Sequence, residues 1–273
     1  MKVYFAGGGQ ESEPMIAEAI NQNPDLLGRL GSPLAEKNIE IDLYDGADFV
    51  LDSGAHTLIN VYGSDAWRRH TPTKPRTKVP KVRDTFDKLK KLARKMKGQL
   101  LWVAELDIYA LIPYGLVLEM RKELQDEGHR VLPVWHSIIP NAYKVWDEWL
   151  EEFDYVGFTN DGLKDAPAMV MRAYDAGVKV HGFAITKTEV WYRAPLYSAD
   201  STTWTNPYKY GLVADPRGKF QVGKRWHPSK ATAKRRLSRN RAHDCVPMVI
   251  RKYTQMAREI TEFWDRKGVS WEQ

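Results

Sequence analysis

Five polar residues stand at comparable places in the chain. Asp52, Asp107, His136, Asn160 and Asp200 each sit at or just beyond the end of a short apolar run. One Asp or Asn in such a place commonly caps a helix. Five of them, three with carboxylates, suit chemistry shared at a single mouth. Two carboxylates facing an anomeric carbon can split a glycosidic bond. One attacks that carbon or stabilises positive charge on it, and the other moves the proton of the leaving group. Residue types alone do not choose between sugar–sugar and base–sugar bonds.

The elements that must position these groups alternate along the chain. Strand-like runs occupy 3–6, 48–51, 100–104, 131–135, 155–158, 178–185 and 197–199. Helical spacing follows over 13–20, 84–97, 116–125, 142–153 and 166–176, with apolar residues recurring three to four apart. Val249, Tyr253, Met256, Ala257, Ile260, Phe263 and Trp264 mark a long amphipathic helix near the C-terminus. Alternating strands and helices imply a parallel sheet. Seven such units favour an α/β fold of the TIM-like (β/α)8 barrel type, although no eighth strand stands out. In such a barrel, chemistry gathers at the C-terminal ends of the strands. With no repeat and no linker in view, residues 1–273 read as one barrel domain. It carries a basic insertion near the C-terminus and ends in the long helix.

Other signals are weaker. Gly7-Gly8-Gly9 follows the first strand, but it lacks the dinucleotide fingerprint and the Lys-Ser/Thr of a phosphate loop, so it reads as a tight turn. His227, His243 and Cys245 lack the paired-cysteine spacing of a zinc site. No metal and no cofactor are therefore expected. A single cysteine excludes an internal disulfide. No run is apolar enough to span a membrane, and the first residues read as a strand and not as a signal peptide. Both features point to the cytoplasm.

The 273 residues carry a net charge of +6, which hides strong segregation. Residues 68–97 hold 13 Lys or Arg against two acids, and 216–243 hold 10 against none. The rest of the chain is net acidic. Two basic blocks on an acidic body suit a polyanion, because Lys and Arg displace counterions condensed on phosphates. Arg68, Arg69, Lys224, Arg225, Lys234, Arg235 and Arg236 are the candidate nucleic-acid contacts, with Trp204 and Trp226 as candidate stacking platforms.

Four stretches together carry a resemblance. Phe49-Val50-Leu51-Asp52-Ser53-Gly54-Ala55 ends a strand in Asp-Ser-Gly, and Val103-Ala104-Glu105-Leu106-Asp107 is an acidic strand end. His181-Gly182-Phe183-Ala184-Ile185 and Ser198-Ala199-Asp200-Ser201-Thr202-Thr203-Trp204 complete the set. In this order they resemble the transglycosylases that install 7-deazaguanines in nucleic acid, above all the short phage-type DNA members. The resemblance spans residues 1 to about 210.

It implies a TIM barrel and a double displacement. Asp200 would be the nucleophile and Asp52 the general acid/base. Asp107 would bind the heterocycle, and Ser53, Gly54, His136, Gly182 and Phe183 would line the base pocket. The partners implied are DNA and a 7-deazaguanine base (7-cyano-7-deazaguanine or a derivative), and a homodimer is an open option. A phage setting, with a role in restriction evasion, is implied as well. The tRNA-modifying members carry a cysteine-rich zinc site that a chain with one cysteine cannot build, which favours DNA. They also carry Gln where this chain has His136. Three alternatives stay open: the same exchange on tRNA, a DNA glycosylase or glycoside hydrolase, and a non-enzymatic barrel that binds nucleic acid.

Overall fold

The structure, a computed structural model, describes residues 1–7, 12–33, 44, 48–62, 79–98, 100–185, 187–202, 212–215, 218–221 and 239–271. Eight parallel strands form a closed barrel. They are β1 (Lys2–Ala6), β2 (Leu27–Gly31), β3 (Phe49–Leu51), β4 (Trp102–Ala104), β5 (Val131–Leu132 and Val134–Trp135), β6 (Tyr155–Phe158), β7 (Lys179–Gly182) and β8 (Ser198–Ser201). Each pairs with the next, and β8 pairs with β1 through Val3↔Ala199 and Tyr4↔Asp200. Pro133 splits β5, because proline brings no N–H to the ladder. The first half of β5 pairs with β4 and the second with β6, so the barrel closes across the break. The Pro133 carbonyl still accepts Gly157 N–H at 2.7 Å.

Eight helices are described. They are α1 (Glu13–Gln22), α2 (Ala55–Tyr62), α3 (Val79–Lys95), α4 (Tyr114–Asp126), α5 (Ala142–Glu152), α6 (Ala166–Asp175), α7 (Thr188–Trp191) and α8 (Arg239–Asp265). A hairpin, β9 (Leu212–Asp215) with β10 (Gly218–Gln221), lies between β8 and α8 in sequence. The long C-terminal helix is thus the barrel's last helix. It buries Val249, Tyr253, Met256, Ala257 and Ile260, and Tyr253 meets Phe5 of β1 edge-on at 6.0 Å. Among the described residues no helix is long and apolar enough to cross a membrane.

Two apolar cores follow from the period-2 alternation of buried strands. Val3 and Phe5 join the large core between strands and helices, whereas Tyr4 and Ala6 join a smaller one with Leu30, Val50, Trp102, Leu132 and Tyr155. That smaller core fills the barrel.

The strand missing from the sequence reading is β2, Leu-Gly-Arg-Leu-Gly. Its composition follows from its place. A side chain at Gly28 would come within 2.5 Å of the Tyr4 ring, so glycine makes room for that ring inside the barrel. Arg29 points the other way and is buried among helices. Its guanidinium donates to Glu13 Oε1 of α1 at 2.7 Å and to the Phe5 and Leu30 carbonyls. Tyr44 donates to the same glutamate at 2.5 Å. Removing one member of such a buried pair costs about 3–5 kcal/mol.

The basic stretch 68–97 divides in two. Residues 63–78 lie outside the described residues. The remainder is mostly α3, a barrel helix with Phe86, Leu89, Leu92 and Ala93 buried. Its Arg83, Lys90 and Arg94 pair with Glu123 of α4 and neighbouring Glu127 at 2.6–2.9 Å.

Candidate active site

At the C-terminal end of the barrel is a cavity of about 580 Å³, lined by residues of β1, β2 and β8 and by residues that follow the other five strands. That volume is within the range of small-molecule sites, roughly 300–1,000 Å³. Asp52, Asp107, His136, Asn160 and Asp200 all line it, joined by Asp161 and Phe183. Ala6 and Leu30 complete the wall on the side of β1 and β2.

Asp52 ends β3, where its N–H donates to the Gly31 carbonyl at 2.6 Å. Burial, reinforced by the charges of Asp107 and Asp200, pushes its carboxyl up to about 7. It can therefore hold or release a proton near neutrality, as a general acid/base must. Next to it, Gly54 has φ 79° and accepts the N–H groups of Thr57 and Leu58, which starts α2. Ser53 is buried behind the cavity. Its hydroxyl donates to Asp107 Oδ1 at 3.1 Å and accepts Ala55 N–H at 3.2 Å.

The other oxygen of Asp107 meets His136 Nε2 at 2.8 Å. On its far side, His136 Nδ1 is 3.6 Å from Asp161 Oδ2. Burial disfavours a charged imidazole, but the hydrogen bonds and charges of Asp107 and Asp161 outweigh it and raise His136 to about 9. Burial also opposes charge on Asp161, yet His136, Thr159 and the Ser137 N–H hold it down at about 2. At neutral pH His136 is thus favoured as an imidazolium, with Asp107 on one side and Asp161 on the other.

Behind this group, β4 and β5 are pinned by Glu105. Its Oε1 accepts Val134 N–H at 2.6 Å, just past the Pro133 break, and Tyr109 O–H at 2.5 Å. Its Oε2 accepts Arg121 Nε of α4 at 2.7 Å.

Asp200 is buried at the end of β8. Its Oδ1 accepts Ala184 N–H at 2.6 Å. Ala184 has φ 52°, a conformation costly for a residue with a side chain. Asn160 Nδ2 donates to the Ala184 carbonyl at 3.3 Å, so this strained peptide is held on both sides. Phe183 forms part of the wall and packs over Gly157, where a side chain would come within 2.7 Å of its ring.

Gly182 does not line the cavity. The space a side chain would need there is taken by Leu196 and Ile185 of the outer core. The Phe183 N–H is not directed at the cavity either, since it donates to the Phe158 carbonyl at 2.8 Å. Arg68, Arg69, Lys224, Arg225, Lys234, Arg235 and Arg236 lie outside the described residues, as do Gly8, Gly9, Trp204, Trp226, His227 and the side chains of His243 and Cys245. Among the described residues no His, Cys, Asp and Glu cluster is set to hold a metal ion. Asp161 was not singled out from the sequence, although it lies one residue past Asn160 in the same strand-end loop. Glu105 stands in the acidic strand end read from the sequence but was given no role there, and Arg121 gave no signal.

No protein-family model matches the chain, and no curated protein matches it. A crystal structure from Coccidioides immitis, of a protein provisionally assigned as a fructose-1,6-biphosphate aldolase, is similar in fold. It has a TM-score of 0.53 and 11% sequence identity over 97% of this chain and 89% of that one. The likeness is one of barrel architecture.

Proposed function

We propose that the protein is a base-exchange transglycosylase that replaces guanine in DNA with a 7-deazaguanine. The observation that carries this reading is the convergence of Asp52, Asp107 and Asp200 on one cavity, with one oxygen of Asp200 tied to a backbone N–H and the other without a hydrogen-bond partner among the described residues.

In the first step Asp200 Oδ2 attacks C1′ of a guanosine nucleotide. The C1′–N9 bond breaks, its electron pair leaves with guanine, and Asp52 gives that base a proton. An ester joins Asp200 to the sugar. In the second step Asp52 takes the N9 proton of the incoming deazaguanine. N9 attacks C1′, and the ester bond breaks to restore the Asp200 carboxylate. Nothing is oxidised or reduced, and the net change is one base for another.

Asp107 supplies acceptors for the amidine-like N–H edge that guanine and its 7-deaza analogues share. Ser53 and His136 each occupy one of its lone pairs and leave others for the base. Phe183 offers an apolar face for the ring. A base stacked in a duplex cannot reach such a cavity, so the target must be flipped out or single-stranded.

Two features favour a polynucleotide. The β3–α3 connection contains the basic residues 68–78, and the β8–α8 connection contains 216–238. Both connections leave strands at their C-terminal ends, where the cavity opens. The lone cysteine favours DNA over the tRNA substrates of zinc-bearing relatives.

The test is release of labelled guanine from DNA and, separately, from tRNA, with and without added deazaguanine bases. Release from DNA that depends on the added base and is abolished by Asp200→Ala supports the proposal. Release from tRNA alone overturns the substrate. Release without added base marks a glycosylase, and no release from either rejects the reaction.

A further inference from the structure

The barrel interior is apolar toward β3, β4 and β5 but polar between β6, β7 and β8. There, His181 is fully buried below Asp200. Its Nδ1 lies 2.6 Å from Ser198 Oγ, and Ser198 Oγ lies 2.5 Å from Tyr155 Oη. Its Nε2 has no hydrogen-bond partner among the described residues and faces Asp200 Oδ1 at 3.5 Å. A buried polar atom without a partner is costly, and native proteins keep few of them.

One arrangement of the hydrogens gives every member of this row a partner. Burial raises the Tyr155 phenol well above its ordinary range, so it keeps its proton. If Tyr155 donates to Ser198, the single hydroxyl hydrogen of Ser198 is left to point at His181 Nδ1. Nδ1 is then the acceptor, and the ring proton sits on Nε2, aimed at the carboxylate. The opposite tautomer would set a nitrogen lone pair against Asp200 Oδ1. A distance of 3.5 Å is long for a hydrogen bond, but catalytic contacts in a free enzyme often tighten only when substrate binds.

We propose that His181 is a positioning residue for Asp200: locked by the Tyr155–Ser198 pair, it presents Nε2–H to Oδ1 and so leaves Oδ2 as the attacking oxygen. The role rests on the reading of Asp200 as nucleophile. Two donors, Ala184 N–H and His181 Nε2–H, then hold the same oxygen and fix the carboxylate plane.

Two experiments test this. Nitrogen-15 NMR of the histidine rings, with the His181 signals assigned by their absence in His181→Gln, reads the tautomer directly. The Nε2–H form is expected in the intact protein, and a mixture of forms in Ser198→Ala. Finding the Nδ1–H form in the intact protein overturns the proposal whatever the activity.

The second experiment is single-turnover formation of the covalent protein–DNA adduct. His181→Leu is expected to slow it by roughly tenfold to a hundredfold with DNA binding unchanged, less than the roughly 10²–10³ lost when a donor to the reacting centre itself is removed. His181→Gln, which can still donate, is expected to recover most of that rate. Equal losses in both variants overturn the proposal. If the intact protein forms no adduct but shows the Nε2–H tautomer, the functional reading fails while the carboxylate-orienting contact stands.

Discussion

His136 Nε2 lies 2.8 Å from Asp107 Oδ2, and the same ring faces Asp161 from its other nitrogen. An imidazole between two carboxylates is a cation at neutral pH, here with its pKa raised to about 9. His136→Leu removes that cation and leaves two carboxylates without it in a partly dry site. Breaking a buried charge pair in this way costs about 3–5 kcal/mol. We expect a fall of that order in unfolding free energy at pH 7, measured by urea denaturation. The stabilisation from a raised histidine pKa is full below the unfolded value near 6.5 and is lost as pH rises through about 9. The gap between the intact protein and the variant should therefore narrow from pH 7 to pH 10. A constant gap would show that His136 acts there only by packing.

Asp52 sets a second pH dependence, and its sign follows from the protonated form. With a carboxyl held at about 7, base release needs the neutral acid and should be flat below pH 7. Above it, the rate should fall about tenfold per pH unit. Asp52→Asn should abolish release and, because it removes a buried charge, stabilise the fold. A carboxyl raised in the folded state contributes stability at low pH that is lost as pH climbs toward 7. The gain from Asp52→Asn should thus be larger at pH 8 than at pH 5, by about 1–3 kcal/mol. A thermal melt of both proteins at the two pH values decides it.

These groups were not equally visible in the sequence. The strands rich in Val, Leu, Ile and aromatic residues stood out, and so did the polar residues ending them. β2 did not, because its two special residues answer to partners distant in sequence. Gly28 yields space to Tyr4, and Arg29 pairs with Glu13 of α1. The row of Tyr155, Ser198 and His181 was hidden for a related reason: each sits in its own strand, and only the pairing of β6 with β7 and of β7 with β8 joins them. Gly182 belongs to a motif read as base-binding; Phe183 beside it lines the cavity, whereas a side chain at 182 would meet Leu196 and Ile185 of the outer core. The basic stretch 68–97 looked uniform as a charge count, but in α3 Arg83, Lys90 and Arg94 are paired with Glu123 and Glu127.

Gly157 and Phe183 allow a probe of the pocket that leaves every charge in place. A methyl group at residue 157 would sit 2.7 Å from the Phe183 ring, closer than any unstrained contact. Gly157→Ala must therefore push that ring toward the cavity or strain the strand. Overpacking of this kind costs about 1–3 kcal/mol. We expect KM for the incoming base to rise severalfold, with the DNA-dependent steps little changed. Phe183→Leu in the Gly157→Ala background should relieve the clash. If the double variant is no more stable than Gly157→Ala alone, the ring is not what the methyl meets.

The final prediction separates the basic residues that bind phosphates from those that brace the barrel. Arg83 and Arg94 face Glu123 and Glu127 at 2.6–2.7 Å, and replacing both with Gln removes two charges already neutralised locally. Such exposed pairs contribute little stability, about 0–1 kcal/mol each. Lys234, Arg235 and Arg236 have no acidic neighbour in the sequence from 216 to 243. If all three touch phosphates, replacing them with Gln should flatten the plot of log affinity against log salt by about 0.9 per charge on duplex DNA, or about 0.7 on single strands. The Arg83→Gln/Arg94→Gln protein should keep the slope of the intact protein. A fluorescence titration across salt concentrations measures both. Equal loss of slope in the two variants would mean that α3 also lies on the nucleic acid, with its ion pairs opened in the complex. An unchanged slope in the triple variant would remove the β8–α8 connection from the binding surface.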